Sequence, residues 1–228
     1  MSNIAVILGA GNGTRMKSEK SKLLMEIDGR TVIERTVAAF SENEFVDEII
    51  VVCREKDLDD FEKVLSDYEL SYCFGGDTRQ QSVRNAVETI ENSECDLIII
   101  HDGARPLITQ KEITDTIAAA HDKGAAAVGV AVKDTIKVVD SNMKIVDTPD
   151  RSSLISIRTP QVFDFSVYKK ALDYAVKQGA DYTDDCRLME NYGKEVYVVL
   201  GEYSNIKITT PEDLPAAQGI LRFRGEES

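Results

Sequence analysis

NIAVILGAGNGTRMKSEKSKLL, residues 3–24, carries an apolar run into Gly9, Gly11 and Gly13 and then into two cations, Arg15 and Lys22. A short β-branched run that stops at glycines reads as a strand buried on both faces, with a loop at its carboxyl end. Bare glycine backbone lets N–H groups approach an anion closely and form a concave row of donors. Arg15 adds a planar fork matched to phosphate oxygens, and Lys22 a movable point charge. The stretch therefore reads as a phosphate-binding loop after the first strand of an α/β fold. Two better-known loops do not fit. In a dinucleotide fingerprint a third glycine would stand where this chain has Thr14, and the second strand would end on an acid rather than on Cys53-Arg54. A Walker loop needs Gly-Lys followed by Ser or Thr, which occurs nowhere. The remaining pattern, G-x-G-x-G-x-R over Gly9–Arg15, is that of a nucleotidyltransferase loop.

Outward from that stretch the chain alternates. Ile4–Leu8, Glu48–Cys53, Leu70–Phe74, Asp96–His101 and Ala125–Val132 read as buried strands. Thr31-Val-Ile-Glu34 is a capping box opening a helix to about Phe40, and helices are expected over Asp57–Leu65, Thr78–Ile90 and Gln110–Lys123. This rhythm predicts an α/β fold with a doubly wound, mainly parallel sheet, in one domain over residues 1–228. Ligands of such sheets sit beyond the carboxyl ends of the strands. The rhythm breaks at about residues 133–155, where two extended segments joined at Ser141-Asn142 predict a protruding β-hairpin, either a surface decoration or an arm for a second subunit. Further on, helices are expected near Ser166–Gln178 and from Thr183-Asp184-Asp185. Strands are expected near Glu195–Leu200 and Asn205–Ile208, and a last helix with Pro211 at its first position.

Composition narrows the function. The net charge of −13 on 228 residues opposes nucleic-acid binding, which relies on Lys and Arg against phosphates. No apolar run approaches the ~18 residues that signal a membrane span. The opening apolar run has no basic segment before it and reads as a strand rather than a signal peptide. Cys53, Cys73, Cys95 and Cys186 form no CxxC pair, so buried thiols, a cytoplasmic setting and no zinc are expected.

The loops after the other strands offer further candidates. Gly75-Gly76-Asp77 exposes bare backbone edges suited to reading a base, with Ser82 one turn into the next helix. His101-Asp102-Gly103-Ala104-Arg105-Pro106 ends a strand. Asp102 is placed to meet a ribose hydroxyl or a metal–triphosphate, Arg105 to pair with it, and His101 to pack in the core. Lys207, inside the apolar run Ile206–Ile208, is more than a solvated lysine. No Ser/His or Cys/His constellation signals covalent catalysis.

Together these segments resemble the 2-C-methyl-D-erythritol 4-phosphate cytidylyltransferases of the non-mevalonate isoprenoid pathway. The carriers are G-A-G-N-G-T-R-M at 9–16 with Lys22, G-G-D at 75–77, H-D-G-A-R-P at 101–106 and V-K-D-T-I-K at 132–137. D-R-S-S-L at 150–154, T-P-Q at 159–161, T-D-D at 183–185 and N-I-K-I-T-T-P-E-D-L at 205–214 complete the order. The resemblance implies a Rossmann-like nucleotidyltransferase that moves CMP from CTP to a phosphorylated polyol with Mg²⁺ or another divalent cation. Arg15, Lys22 and Lys207 would be catalytic. Leu8, Gly9, Ala10, Gly11, Gly13, Gly76, Asp77, Ser82 and Gly103 would bind CTP. Asp102, Thr135, Arg151 and Thr159 would bind the acceptor, with Asp102 also the candidate metal contact. Thr135 and Arg151 sit on the arm, which would reach the neighbouring subunit's site in a homodimer. Neither nucleic acid nor membrane is an expected partner. The chain departs from the family's usual P-A-A-G at Leu8–Gly11, P-K-Q at Ser21–Leu23 and H-D-A-A-R-P at His101–Pro106. Ribitol-5-phosphate cytidylyltransferases and sugar-1-phosphate nucleotidyltransferases share the chemistry and stay open on these residues alone.

Overall fold

The opening apolar run becomes β1 (Asn3–Leu8), an interior strand of a seven-stranded sheet. The computed structural model describes residues 2–11, 21–90 and 95–226, so Gly13 and Arg15 lie outside the described residues. After the glycine loop, β2 (Glu26–Ile27) and β3 (Arg30–Thr31) form a small hairpin that leads into α1 (Val32–Ser41). The expected capping box is present: Glu34 N–H donates to the Thr31 hydroxyl at 3.2 Å, and Thr31 N–H donates back to the Glu34 carboxylate at 3.4 Å. The alternation continues as β4 (Glu48–Cys53), α2 (Leu58–Val64), β5 (Ser71–Phe74), α3 (Arg79–Thr89), β6 (Leu97–Asp102), α4 (Gln110–Lys123) and β7 (Ala125–Ala131).

β1 pairs in parallel with β4 on one side and β6 on the other, and β4 pairs in parallel with β5 at the sheet edge. Side-chain alternation divides the core between the two faces. Ala5 and Ile7 pack with Val37 and Phe40 of α1 and Ile113 and Ile117 of α4. Ile4 and Val6 pack on the other face with Val83 and Val87 of α3. The chain winds outward from β1 to β5, then returns to place β6 on β1's other side. Loops leaving β1 and β6 therefore diverge at their carboxyl ends and open a crevice there.

Beyond β7 the expected hairpin forms from β8 (Val138–Val139) and β9 (Ile145–Asp147), turning at Ser141-Asn142. The Asp140 carboxylate accepts from the N–H groups of Asn142 and Lys144 and closes that turn. Its apolar side chains stand in solvent, with Met143 77% exposed and Val146 57%.

The sheet gains a strand that the sequence analysis did not assign. The arm returns into β10 (Ile155–Asp164), which inserts between β6 and β7 and runs antiparallel to both. Pro160 lacks the N–H for a ladder, and the register with β7 shifts between Ile157 and Gln161, where that proline falls. The polar residues Arg158, Thr159 and Gln161 disguise this strand in the sequence. α5 (Phe165–Lys177) and α6 (Asp185–Asn191) follow on the α3 face, and β11 (Tyr197–Leu200) adds in parallel to β7 as the other edge.

Two further expectations fail. Asn205–Ile208 is not a strand. Its backbone is held by side chains instead: the Asn205 carbonyl accepts from the guanidinium groups of Arg105 and Arg158 at 2.9 and 2.7 Å. The last helix, α7 (Asp213–Arg224), begins after Pro211 rather than on it. The Asp213 carboxylate accepts from the N–H groups of Thr209 and Thr210 at 2.7 and 2.8 Å, which fixes the entry.

Candidate active site

The crevice beyond β1 and β6 holds a cavity of about 330 Å³. Leu8, Gly9, Ala10 and Gly11 form one wall, Gly76, Asp77 and Ser82 a second, and Lys22, Asp102 and Lys207 a third. Segments far apart in sequence thus meet as expected. The glycine loop and the Gly75-Gly76 loop touch directly: a Cβ on Gly75 would lie 2.2 Å from Ala10 Cβ, so only glycine lets these backbones approach. Ser82 Oγ accepts from Gly76 N–H at 3.1 Å and donates to the Thr78 carbonyl, which sets the edge of that wall.

Lys22 opens a 3₁₀ turn, Lys22–Leu24, capped by Ser21 and anchored by buried Leu23. Its ammonium reaches across the cavity and donates to the Ile208 carbonyl at 2.7 Å. Lys207 comes from the irregular segment before α7. Ile208 is buried in the core, so its neighbour Lys207 turns the other way, into the cavity.

Asp102 is the electrostatic centre. Its Oδ2 lies 2.8 Å from Lys207 Nζ and 3.4 Å from Arg105 Nε, and its Oδ1 lies 4.0 Å from Arg79 Nε. Burial would raise this carboxyl. Lys207, then Arg79 and Arg105, outweigh burial and hold it well below the usual carboxylate range. Asp102 is thus an anion at neutral pH, a hard oxygen donor on the cavity wall. Among the described residues no cluster of three or more His, Cys, Asp or Glu side chains could cage a metal. A Mg²⁺ carried by a triphosphate, keeping water and phosphate ligands and taking one carboxylate, fits such a wall.

His101 behaves as a packed core residue. It is fully buried and lies against Phe40, ring centroids 4.8 Å apart. Nε2 lies 3.3 Å from the Arg105 carbonyl, which can only accept, so Nε2 carries the proton. Nδ1 then accepts from the Thr159 hydroxyl at 3.1 Å, and that hydroxyl accepts from Asp102 N–H at 3.0 Å. Burial pushes the imidazole down to about 3. A buried neutral histidine destabilises the fold as pH falls below its unfolded value, because the unfolded chain then binds the extra proton. His101→Gln, which keeps a donor toward Arg105, is expected to flatten the fall in stability between pH 7 and 5. The difference should be about 2 kcal/mol at pH 5, from an unfolded pKa of about 6.5. Urea unfolding at the two pH values checks this; parallel curves for both proteins contradict it.

Several expected residues stand elsewhere. Gly103 is buried behind the wall, where a Cβ would lie 3.0 Å from the Leu8 carbonyl, and Ala104 faces the cavity in its place. Thr159 is buried beneath Asp102 and acts on it through the hydrogen bond to its N–H. Thr135 and Arg151 lie on the exposed arm, away from this chain's own cavity, with Arg151 donating to the Lys133 carbonyl at 2.7 Å. Sequence reasoning missed Arg79, Thr209 and Arg158. The first two line the cavity, and Arg158 holds the carbonyls of Glu202, Tyr203 and Asn205. Arg79 follows the Thr78 cap directly after Gly-Gly-Asp, so its position next to a candidate base-reading loop was the available signal.

A family model described as 2-C-methyl-D-erythritol 4-phosphate cytidylyltransferase (IspD) matches residues 3–223. The enzyme of that name from Caldanaerobacter subterraneus subsp. tengcongensis is 45% identical over 226 residues, covering 96% of this chain and 98% of its own. The one from Clostridium perfringens (strain SM101) is 41% identical over 223 residues, covering 96% and 98%. Among solved structures, 4-diphosphocytidyl-2C-methyl-D-erythritol synthase from Anaerococcus prevotii superposes with a TM-score of 0.87 at 34% identity, covering 97% of this chain and 96% of that one.

Proposed function

This chain belongs to the 2-C-methyl-D-erythritol 4-phosphate cytidylyltransferase family, and from that membership we propose how its own residues carry the reaction. The enzyme transfers CMP from CTP to 2-C-methyl-D-erythritol 4-phosphate, giving 4-diphosphocytidyl-2-C-methyl-D-erythritol and pyrophosphate. The single observation that carries the residue assignment is the convergence of Lys22 and Lys207 with glycine amides in one cavity at the β1/β6 switch point.

The base lies against Gly76, Asp77 and Ser82, and the triphosphate against the amides of Ala10 and Gly11 and the ammonium of Lys22, with Arg15 as the further cation expected from the sequence. Lys207 leaves Asp102 and turns to the α-phosphate. The acceptor is a phosphate monoester with a second pKa of about 6, so its oxygen is already largely anionic and needs no strong base. That accords with a histidine held neutral and away from the cavity. The barrier is the approach of two polyanions, and the protein lowers it by fixed positive charge and alignment for in-line displacement at the α-phosphorus. A divalent cation carried on the triphosphate would neutralise the leaving pyrophosphate, with Asp102 as the carboxylate we assign to it on the cavity wall.

We place the acceptor phosphate between this cavity and a partner's arm, so the active form is a homodimer. The exposed apolar side chains of the arm support this, since a two-stranded hairpin has little stability of its own and bare apolar surface marks an interface. No described helix is long and apolar enough to cross a membrane; with four free cysteines among its residues, we assign the enzyme to the cytoplasm.

Incubation with CTP, Mg²⁺ and either methylerythritol phosphate or ribitol 5-phosphate, reading pyrophosphate, tests the reaction. Release with the first acceptor is expected, and release with the second alone contradicts the assignment. Arg151→Ala is expected to raise the acceptor KM. Mixed dimers of Arg151→Ala and Lys22→Ala subunits contain one intact composite site, so activity should reappear when the two are co-refolded. No recovery in such dimers contradicts the cross-subunit arrangement.

A further inference from the structure

Tyr168 of α5 is fully buried, and its hydroxyl donates to Asp185 Oδ1 at 2.6 Å. Asp185 opens α6, and its other oxygen, Oδ2, accepts from Arg79 at 2.5 Å. Each carboxylate oxygen thus has its own partner, and the Arg79 guanidinium cannot rotate without breaking a buried ion pair. The far edge of that guanidinium lies 4.0 Å from Asp102 Oδ1, too long for a hydrogen bond and close enough for a small turn of the Asp102 carboxylate to make one. The closer cations, Lys207 and Arg105, sit on Oδ2.

We propose that Arg79 is a positioning residue for the transfer reaction, aimed by Asp185 and Tyr168 so that it fixes the Asp102 carboxylate when Lys207 leaves it for the nucleotide. This rests on the assignment of the cavity to CTP. The geometry gives the reason. Lys207 cannot hold Asp102 and an α-phosphate with the same ammonium in the same position. Once it turns, a buried carboxylate loses its nearest partner, the ammonium 2.8 Å from Oδ2. Arg79 and Arg105 remain, one beside each oxygen, and keep the carboxylate oriented.

A purely structural role, stapling α3 to α6, explains less. That junction is already held by Thr78 Oγ1 donating to Asp181 at 3.0 Å, by Gln80 donating to the Ala180 carbonyl at 2.9 Å, and by Tyr182 N–H donating to Gln80 at 2.9 Å. A staple also has no need to line the cavity, as Arg79 does.

The test is a double-mutant cycle on kcat and on the Kd for CTP. Arg79→Lys keeps a charge, but one ammonium cannot span two carboxylates as a planar fork does. It is measured alone, in the Asp102→Asn background, and beside Asp102→Asn itself. Arg79→Lys alone should lower kcat about tenfold, and in Asp102→Asn by less than about twofold, as for residues acting through one contact. Tyr168→Phe removes only the hydroxyl and keeps the ring stacked on Phe163, with centroids 5.1 Å apart. It should show a smaller loss that likewise vanishes with Asp102→Asn, and it carries the cycle if Arg79→Lys fails to fold by circular dichroism. Where Asp102→Asn turns over too slowly to measure, the same cycle is read on the Kd for CTP. Equal fold-losses in both backgrounds overturn the proposal, since Arg79 then acts independently of Asp102. A wild-type protein that neither binds CTP nor releases pyrophosphate overturns the cavity assignment beneath it, an outcome distinct from additivity in an active enzyme.

Discussion

Lys22→Ala is expected to lower kcat with CTP by about 10²- to 10³-fold, the loss that follows removal of one preorganised charge from a developing anion. The local fold should survive the change. Ser21 caps the 3₁₀ turn and Leu23 anchors it, and neither needs the lysine side chain. What disappears is an ammonium that crosses the cavity and presently donates to the Ile208 carbonyl at 2.7 Å. That carbonyl sits on the residue next to Lys207, so nucleotide phosphates drawn to Lys22 arrive beside the second lysine. Because Lys22 holds the bound triphosphate and also faces the charge that develops on it, kcat falls and the Kd for CTP rises. Single-turnover rates with unchanged thermal unfolding establish this; a kcat within about threefold of wild type contradicts it.

Lys207→Met should lower kcat/KM for CTP by about 10²-fold, again the scale of a lost charge stabiliser. It has a second signature. Among the groups that hold the Asp102 carboxyl down, Lys207 is the largest. A depressed carboxyl contributes stability that is fully present above its unfolded value of about 3.9 and is lost as pH falls through its folded value. Without Lys207 the folded value rises toward the ordinary range, so this contribution shrinks. The variant should therefore be less stable at pH 7 and show a shallower loss of stability on acidification below pH 4. Lys207→Arg should restore most of the stability and only part of the turnover, because a planar fork cannot occupy the position of a compact ammonium. Full activity in Lys207→Met contradicts the role.

Much of this was legible in the sequence because each signal had one local cause. The β-branched runs of β1, β4 and β6 bury both faces and need no partner to be recognised. Thr31 and Glu34 announce α1 by capping chemistry alone. Glycines at 9, 75 and 76 mark backbones that must come close, and they line or border one cavity. What escaped was set by tertiary context. β10 carries Arg158, Thr159 and Gln161 inward because Asp102, His101, Asp184 and the Asn205 carbonyl are there to meet them. No periodicity of β10 itself shows that. The Asn205–Ile208 segment has strand-like residues but is held by arginine side chains instead of a ladder. Arg79 looked like an ordinary first-turn residue, and only the fold brings Asp102 and Asp185 to either side of it.

The central claim is that the amides after β1 and two lysines from distant segments hold the triphosphate of CTP. A crystal structure with Mg²⁺ and an α,β-methylene analogue of CTP tests it most directly. The account predicts phosphate oxygens within hydrogen-bond distance of the Ala10 and Gly11 amides and of both Lys22 Nζ and Lys207 Nζ, with each ammonium drawn from its present carbonyl or carboxylate partner; the Gly9 amide stays on the Val52 carbonyl, to which it donates at 2.7 Å. A triphosphate bound elsewhere, with Lys22 still on the Ile208 carbonyl and Lys207 still on Asp102, would contradict it.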